Sequence, residues 1–110
     1  MSAWGGISSL QFGLPLMWTE ARKRGFVIQD LVRLMTVGPC QLARLDGFKG
    51  RICPGFDADF VLWDPLDVFT ISLDNILYKN KMSPYLGKQV TCFIDFKNII
   101  LICLFFSCLE

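Results

Sequence analysis

KGRICPGFDADFVLWDP, Lys49 to Pro65, is the stretch on which the reading of this chain turns. Its first part, Gly50-Arg51-Ile52-Cys53-Pro54-Gly55, is rich in turn-forming residues. Its second part, Ala58 to Trp63, is a compact β-prone run closed by Asp64-Pro65. The texture of the sequence therefore changes from helix to strand at Lys49. Downstream, Val68 to Ile71 predicts another short strand, Asp74 to Tyr78 a helical turn, and Lys79 to Lys88 a loop containing Pro84 and Gly87. Gln89 to Ile94 predicts a strand in which Val90, Cys92 and Ile94 alternate with Gln89, Thr91 and Phe93.

Upstream the period is helical. Leu14, Met17, Trp18 and Ala21 fall at helical spacing between Leu14 and Arg24, with Pro15 suited to a first turn. The basic run Arg22-Lys23-Arg24 sits where the helix dipole favours cations, and Gly25 follows as a C-terminal cap. That run reads as a solvated helix end in preference to a phosphate site. A second helix is expected from Ile28 to Thr36, with Ile28, Leu31, Val32 and Met35 as its apolar stripe. Gly38 and Pro39 should break it. Pro39 can then open a third short helix carrying Leu42, Ala43 and Leu45, which Gly47 would stop.

Composition narrows the function classes. The 110 residues suffice for one small domain or a piece of one, and fall short of the roughly 250 that a complete barrel enzyme needs. Eleven Lys and Arg against 10 Asp and Glu leave no basic surface for a nucleic acid. Histidine is absent altogether, which excludes from this chain a His-based triad, a HExxH zinc site and a His-ligated di-metal centre. Cysteines at positions 40, 53, 92, 103 and 108 form no CxxC pair. They read as thiols of a reducing compartment, not as a disulfide framework. The opening MSAWGGISSL has no basic region followed by an apolar one and does not read as a secretory signal.

Ser2 to Ser9 reads as a loop whose Gly5-Gly6 pair permits backbone conformations closed to other residues. Such a loop either brings peptide groups close to a ligand or is an ordinary turn. Nothing around it has the form of a GxGxxG or Walker phosphate cradle.

Four strings in order carry a resemblance: AWGGISSLQ (Ala3 to Gln11), PLMWTEARKRG (Pro15 to Gly25), KGRICPGFDADFVLWDP, and KNKMSPYLG (Lys79 to Gly87). Over residues 3 to 94 the chain resembles the C-terminal part of the allantoinases, cyclic-amide hydrolases of the metal-dependent amidohydrolase superfamily. The KGRI-PG-DAD pattern is shared with hydantoinases, dihydropyrimidinases and dihydroorotases. The first and last strings are what narrow the resemblance to allantoinases.

The resemblance implies an α/β fold, namely the C-terminal end of a TIM-like barrel followed by part of a small composite β-sandwich. Residues 1–48 would be the last loop and helices of the barrel, residues 49–94 a sandwich segment, and residues 95–110 a divergent tail. It implies hydrolysis of the hydantoin ring of allantoin to allantoate in purine catabolism, with two zinc or similar divalent ions. Their ligands, histidines, an aspartate and a carboxylated lysine, belong to earlier strands, so no catalytic residue and no metal ligand is assigned here. Asp57 and Asp59 belong to the DAD turn and are expected to be structural. Trp4, Gly5 and Gly6 match the loop bordering the barrel mouth in the family. There Trp4 would form a wall of the substrate site and the Gly5-Gly6 backbone would supply hydrogen bonds. The resemblance further implies a small-molecule substrate, a homo-oligomer, and a cytoplasmic or peroxisomal location. The chain itself ends Cys-Leu-Glu, which is no peroxisomal tripeptide.

The tail, DFKNIILICLFFSCLE, leaves the family pattern. Ile99 to Cys108 is almost wholly apolar, too short for the roughly 20 residues of a membrane span, and has the composition of an aggregation-prone segment. It is read as a replacement strand of the sandwich, as a peripheral anchor, or, in the preferred reading, as unselected sequence from a truncated or mis-assigned coding region. Two functional classes follow. The chain is a fragment of an enzyme active only at full length, or a non-catalytic product of the same locus that binds or interferes with that enzyme. In either case Val61, Leu62 and Trp63 should be among the best buried β residues, and an incomplete sandwich should leave an open sheet edge.

Overall fold

In a computed structural model, residues 9–93 and 100–103 are described, with side chains for residues 9–91. A 3-10 turn, Leu10–Phe12, leads directly into helix α1, Gly13–Lys23. The helix buries Leu14, Pro15, Trp18, Thr19 and Ala21 on one side. Its end follows the sequence expectation. Gly25 takes φ +80°, its N–H donates to Arg22 O at 3.1 Å, and Phe26 N–H donates to Ala21 O at 3.1 Å. This is the glycine-closed C-terminal motif that satisfies the last helical carbonyls.

The next helical stretch departs from expectation. Helix α2, Ile28–Val32, begins with Asp30 accepting from Val27 N–H at 3.0 Å. It then runs without a break through a π-helical turn, Arg33–Val37, into α3, Gly38–Leu42. Gly38 and Pro39 do not interrupt it. Pro39 has no N–H to offer a carbonyl one turn earlier, and it follows directly on the widened turn. Gly38 N–H donates to Arg33 O, five residues back, and the Thr36 hydroxyl donates to Val32 O at 2.6 Å. A Cβ at Gly38 would stand 3.1 Å from Arg33 O, so the absent side chain is what admits that close approach. The helix also stops earlier than Gly47. Arg44 adopts φ 59°, and Leu45 N–H closes onto Cys40 O at 2.8 Å.

The β part is a three-stranded antiparallel sheet in the order β2-β1-β3, with β1 Phe60–Thr70, β2 Gln89–Phe93 and β3 Ile100–Cys103. The two short strands read from Ala58 to Trp63 and Val68 to Ile71 are one strand, which passes through Asp64-Pro65. The join is irregular. Asp64 pairs with Phe93 and Val68 with Thr91, so residues 65–67 face a single β2 residue. A bulge placed there lets a proline without an N–H sit inside a continuous strand. Asp74 to Tyr78 is not helical. Asn75 builds a turn in its place, accepting from Ser72 N–H at 2.9 Å and donating to Thr70 O at 3.0 Å.

Two apolar clusters flank α1. The first joins Leu14, Trp18, Leu31 and Trp63, with Ile28, Val32, Met35 and Val61 packed against it. The second joins Phe12, Ile71, Ile76 and Val90, with Leu16, Phe69, Tyr78 and Tyr85 around it. Trp63 is fully buried, whereas Val61 and Leu62 are only half-buried. Successive strand residues point to opposite faces, so Leu62 faces away from the helices that cover Trp63, while Val61, on the Trp63 face, packs at the margin of the first cluster. Within the tail, Ile100–Cys103 is a paired strand, so β1 is central and, among the described residues, the outer edges of the sheet are those of β2 and β3. Among the described residues no helix is long and apolar enough to cross a membrane.

Candidate functional site

Trp4, Gly5 and Gly6, the substrate-loop residues implied by the resemblance, lie outside the described residues. The segment that follows them is firmly held. Gln11 donates through Nε2 to Asn75 O at 2.6 Å and accepts Leu77 N–H on Oε1 at 2.9 Å, a two-point clamp between the start of the chain and the 72–78 turn. One residue on, Phe12 is 2% exposed and meets Tyr78 edge-to-face, ring centroids 6.5 Å apart. In the sequence Gln11 closes the string AWGGISSLQ. A lone glutamine before a helix offers no signal of a partner 64 residues away.

The decisive stretch carries the second constellation. Lys49 reaches Asp57 with Nζ 2.7 Å from Oδ2, and also contacts the Asp59 carboxylate. Its side chain is mostly covered, while both aspartates stand half in solvent. The Asp57 and then the Asp59 carboxylate hold the lysine protonated well above the ordinary lysine range. Asp57 N–H further donates to Phe48 O at 2.9 Å. The DAD turn thus folds back on the lysine that opens the motif. Beside it a surface cavity of about 310 Å³ is lined by Arg51, Cys53, Phe56, Asp57 and neighbours, with the Arg51 guanidinium 5.5 Å from the centre of the Phe56 ring.

The third constellation surrounds Glu20 on α1. Arg24 lies 2.9 Å from one carboxylate oxygen, and Lys23 and Lys88 lie 3.0 and 3.3 Å from the other. Hydrogen bonds from Arg24, then Lys23, then Lys88 lower its pKa to about 2. Part of the basic run is therefore drawn onto one carboxylate, and Lys88 ties the approach to β2 onto the helix. Nearby, Thr19 Oγ accepts Thr91 N–H from β2 at 2.8 Å. In the core, Trp18 Nε1 donates to Pro65 O at 2.9 Å, and Trp18 meets Trp63 edge-to-face at 5.6 Å.

Each constellation joins segments distant in sequence or closes a turn. None sets a nucleophile against a base. The two-metal centre that the resemblance implies finds no fit in these residues. The chain has no histidine, Asp57 and Asp59 are engaged by Lys49, and among the described residues no group of three or more His, Cys, Asp or Glu is placed to hold a metal ion.

Comparison with known proteins places the chain among hydrolases. The amidohydrolase family pattern matches residues 6–93. A probable allantoinase 2 of Dictyostelium discoideum is 43% identical over 90 residues, covering 82% of this chain and 18% of that protein. An allantoinase of Streptomyces avermitilis is 44% identical over 92 residues, covering 82% of this chain and 20% of the relative. A probable allantoinase of Oryza sativa is 40% identical over 93 residues, 83% of this chain and 18% of its own length. The chain thus spans about a fifth of the length of the curated relatives it matches. With its motifs in order and the family pattern matching residues 6–93, this chain belongs to the amidohydrolase family.

Proposed function

We propose that this chain is the C-terminal part of an allantoinase, whose whole form opens the hydantoin ring of allantoin to give allantoate in the cytosol or peroxisome. The observation that carries the reading is identity of 40–44% to allantoinases over more than four-fifths of the chain. In this reading α1 to α3 close the end of a TIM-like barrel, and β1 and β2 are one contribution to a composite sandwich. The divalent metals that activate water in such enzymes would be held by other parts of the whole protein. The task of the present residues is positional. Gln11 and Phe12 fix the point where the Trp4-Gly5-Gly6 loop joins the fold, so that its Trp wall and backbone groups would face the substrate. Lys49 with Asp57 and Asp59 rigidifies the passage from helices to sheet.

The 110-residue chain incubated with allantoin and zinc, cobalt or manganese should release no allantoate above a metal-only control, while a complete relative assayed beside it does. Metal-dependent ring opening by the chain alone, abolished by changing one of its aspartates, would overturn the proposal.

A further inference from the structure

The turn that follows β1 forms neither helix nor strand over residues 71–79, and from Ser72 to Tyr78 only Ile76 is buried. Its shape therefore depends on side-chain bonds, and two carboxamides in tandem supply them. Asn75 accepts Ser72 N–H on Oδ1 at 2.9 Å and donates from Nδ2 to Thr70 O at 3.0 Å, which fastens the turn to the end of β1. Gln11 repeats the pattern one step further out. It donates from Nε2 to Asn75 O at 2.6 Å and accepts Leu77 N–H on Oε1 at 2.9 Å. Each amide thus bridges one carbonyl, which only accepts, and one N–H, which only donates. A carboxylate of the same size in either place has no N–H for the carbonyl and loses a bond. Leu77 is 84% exposed, so burial of its own side chain does not hold its N–H in place. Lys81 Nζ also donates to Leu73 O at 3.1 Å, a bond that involves neither group meeting Gln11.

We propose that Asn75 is a positioning residue for the substrate loop, acting through Gln11. Its side chain sets the turn so that Asn75 O and Leu77 N–H stand where the Gln11 amide takes both, and Gln11 closes the string that holds Trp4, Gly5 and Gly6. The end of β1, the turn and the segment before α1 are thereby one relay of hydrogen bonds, Thr70 to Asn75 to Gln11. The step from Gln11 to the substrate rests on the reading above of the Trp4-Gly5-Gly6 loop, whereas the relay itself rests on these bonds alone.

Amide hydrogen exchange on the full chain tests the relay. Asn75→Asp keeps the acceptor for Ser72 N–H and loses the donor to Thr70 O. It should speed exchange of the Leu77 amide about fivefold, as the loss of one hydrogen bond does, and leave the Thr91 amide, held by Thr19 Oγ, unchanged. In Gln11→Ala, where Leu77 N–H has already lost its acceptor, adding Asn75→Asp should speed Leu77 no further. Unchanged Leu77 exchange in Asn75→Asp, or an equal further increase in the double variant, would overturn the proposal. Should the Thr91 amide loosen as well, the ratio of Leu77 to Thr91 exchange decides: a rise supports the relay, and the parent's ratio means only a weaker fold. The step to the substrate is read in an allantoinase of Streptomyces avermitilis that carries this chain in place of its aligned region. There Asn75→Asp should raise KM for allantoin about threefold and leave kcat per bound metal within about twofold, the pattern of lost substrate binding. A variant that only weakened the fold would lower the amount of active enzyme and leave KM alone. Faster Leu77 exchange with an unchanged KM would overturn the step to the substrate. A graft with no activity at all would overturn the allantoinase reading and that step with it, while exchange still decides the relay.

Discussion

The two apolar clusters on either side of α1 hold the chain by different means. The first is built from few large groups, with Trp18 and Trp63 edge-to-face at 5.6 Å, and it contains buried polar atoms. Trp18 Nε1 is matched by Pro65 O, whereas Trp63 Nε1 has no hydrogen-bond partner among the described residues. The second cluster sets Ile71, Ile76 and Val90 against Phe12, with Phe69, Tyr78 and Tyr85 around them, and is flanked by the Gln11 clamp and the Asn75 turn. Contact between two indoles therefore anchors the place where the helices meet the middle of β1. Directed hydrogen bonds add more where the start of the chain meets the 72–78 turn and β2.

That contrast is easiest to break at its centre. Trp63→Ala should destabilise the fold by about 3–5 kcal/mol, the range for truncating a buried aromatic. Urea denaturation followed by Trp18 fluorescence reads it. A loss no larger than that of an exposed control such as Leu42→Ala, at a residue 89% exposed, would show that the first cluster does not carry the helices.

A finer contrast separates the two tryptophans. Trp18→Phe leaves the carbonyl of the buried Pro65 without its donor, so it should lose about 1–3 kcal/mol beyond the change in packing. Trp63→Phe removes a donor that has no acceptor and should cost less than Trp18→Phe at matched change in volume. Equal losses in the denaturation midpoints would indicate that Trp63 Nε1 is as well satisfied as Trp18 Nε1.

The smallest expected effect is electrostatic. Glu20 has a folded-state pKa of about 2 against an ordinary 4.5. Its contribution is therefore fully present above pH 4.5, and is lost as the pH falls from there towards 2. Glu20→Gln should flatten the acid limb of a stability-against-pH curve over that interval and leave the neutral region little changed, since the group is partly exposed and its pairs are screened. An unchanged acid limb would remove the carboxylate from the account of how α1 is tied to Lys88.

How much of this was legible in the sequence depends on the range of the interaction. Helix α1 and its Gly25 cap were readable because period, charge and cap all lie within one short segment. The π-helical turn was not, because Gly38-Pro39 reads as a break, and the bonds of the widened turn, Thr36 hydroxyl to Val32 O and Gly38 N–H to Arg33 O, leave no mark in the local sequence. The strand through Asp64-Pro65 was divided for the same reason. Local chemistry says stop, and a bulge together with an acceptor site for Trp18 lets the strand continue. The β-prone run marks Trp63 as core, but Leu62 points to the face that α1 and α2 leave uncovered, and Val61, on the Trp63 face, packs only at the margin of the first cluster. Of the site, the structural role of Asp57 and Asp59 was inferred from the motif and meets its partner in Lys49, while the Gln11 clamp depends on a turn far along the chain.

The central claim, that these residues are the positional C-terminal part of an allantoinase, is tested most directly by a graft. The aligned 92-residue region of the Streptomyces avermitilis allantoinase would be replaced by its counterpart from this chain, and allantoate release measured beside the parent enzyme. The account predicts that the chimera folds, keeps its bound metal and turns over allantoin, and that Gln11→Ala in the graft weakens turnover without loss of metal. A chimera that folds and holds metal but opens no allantoin, while accepting another cyclic amide such as a hydantoin or dihydroorotate, would contradict it.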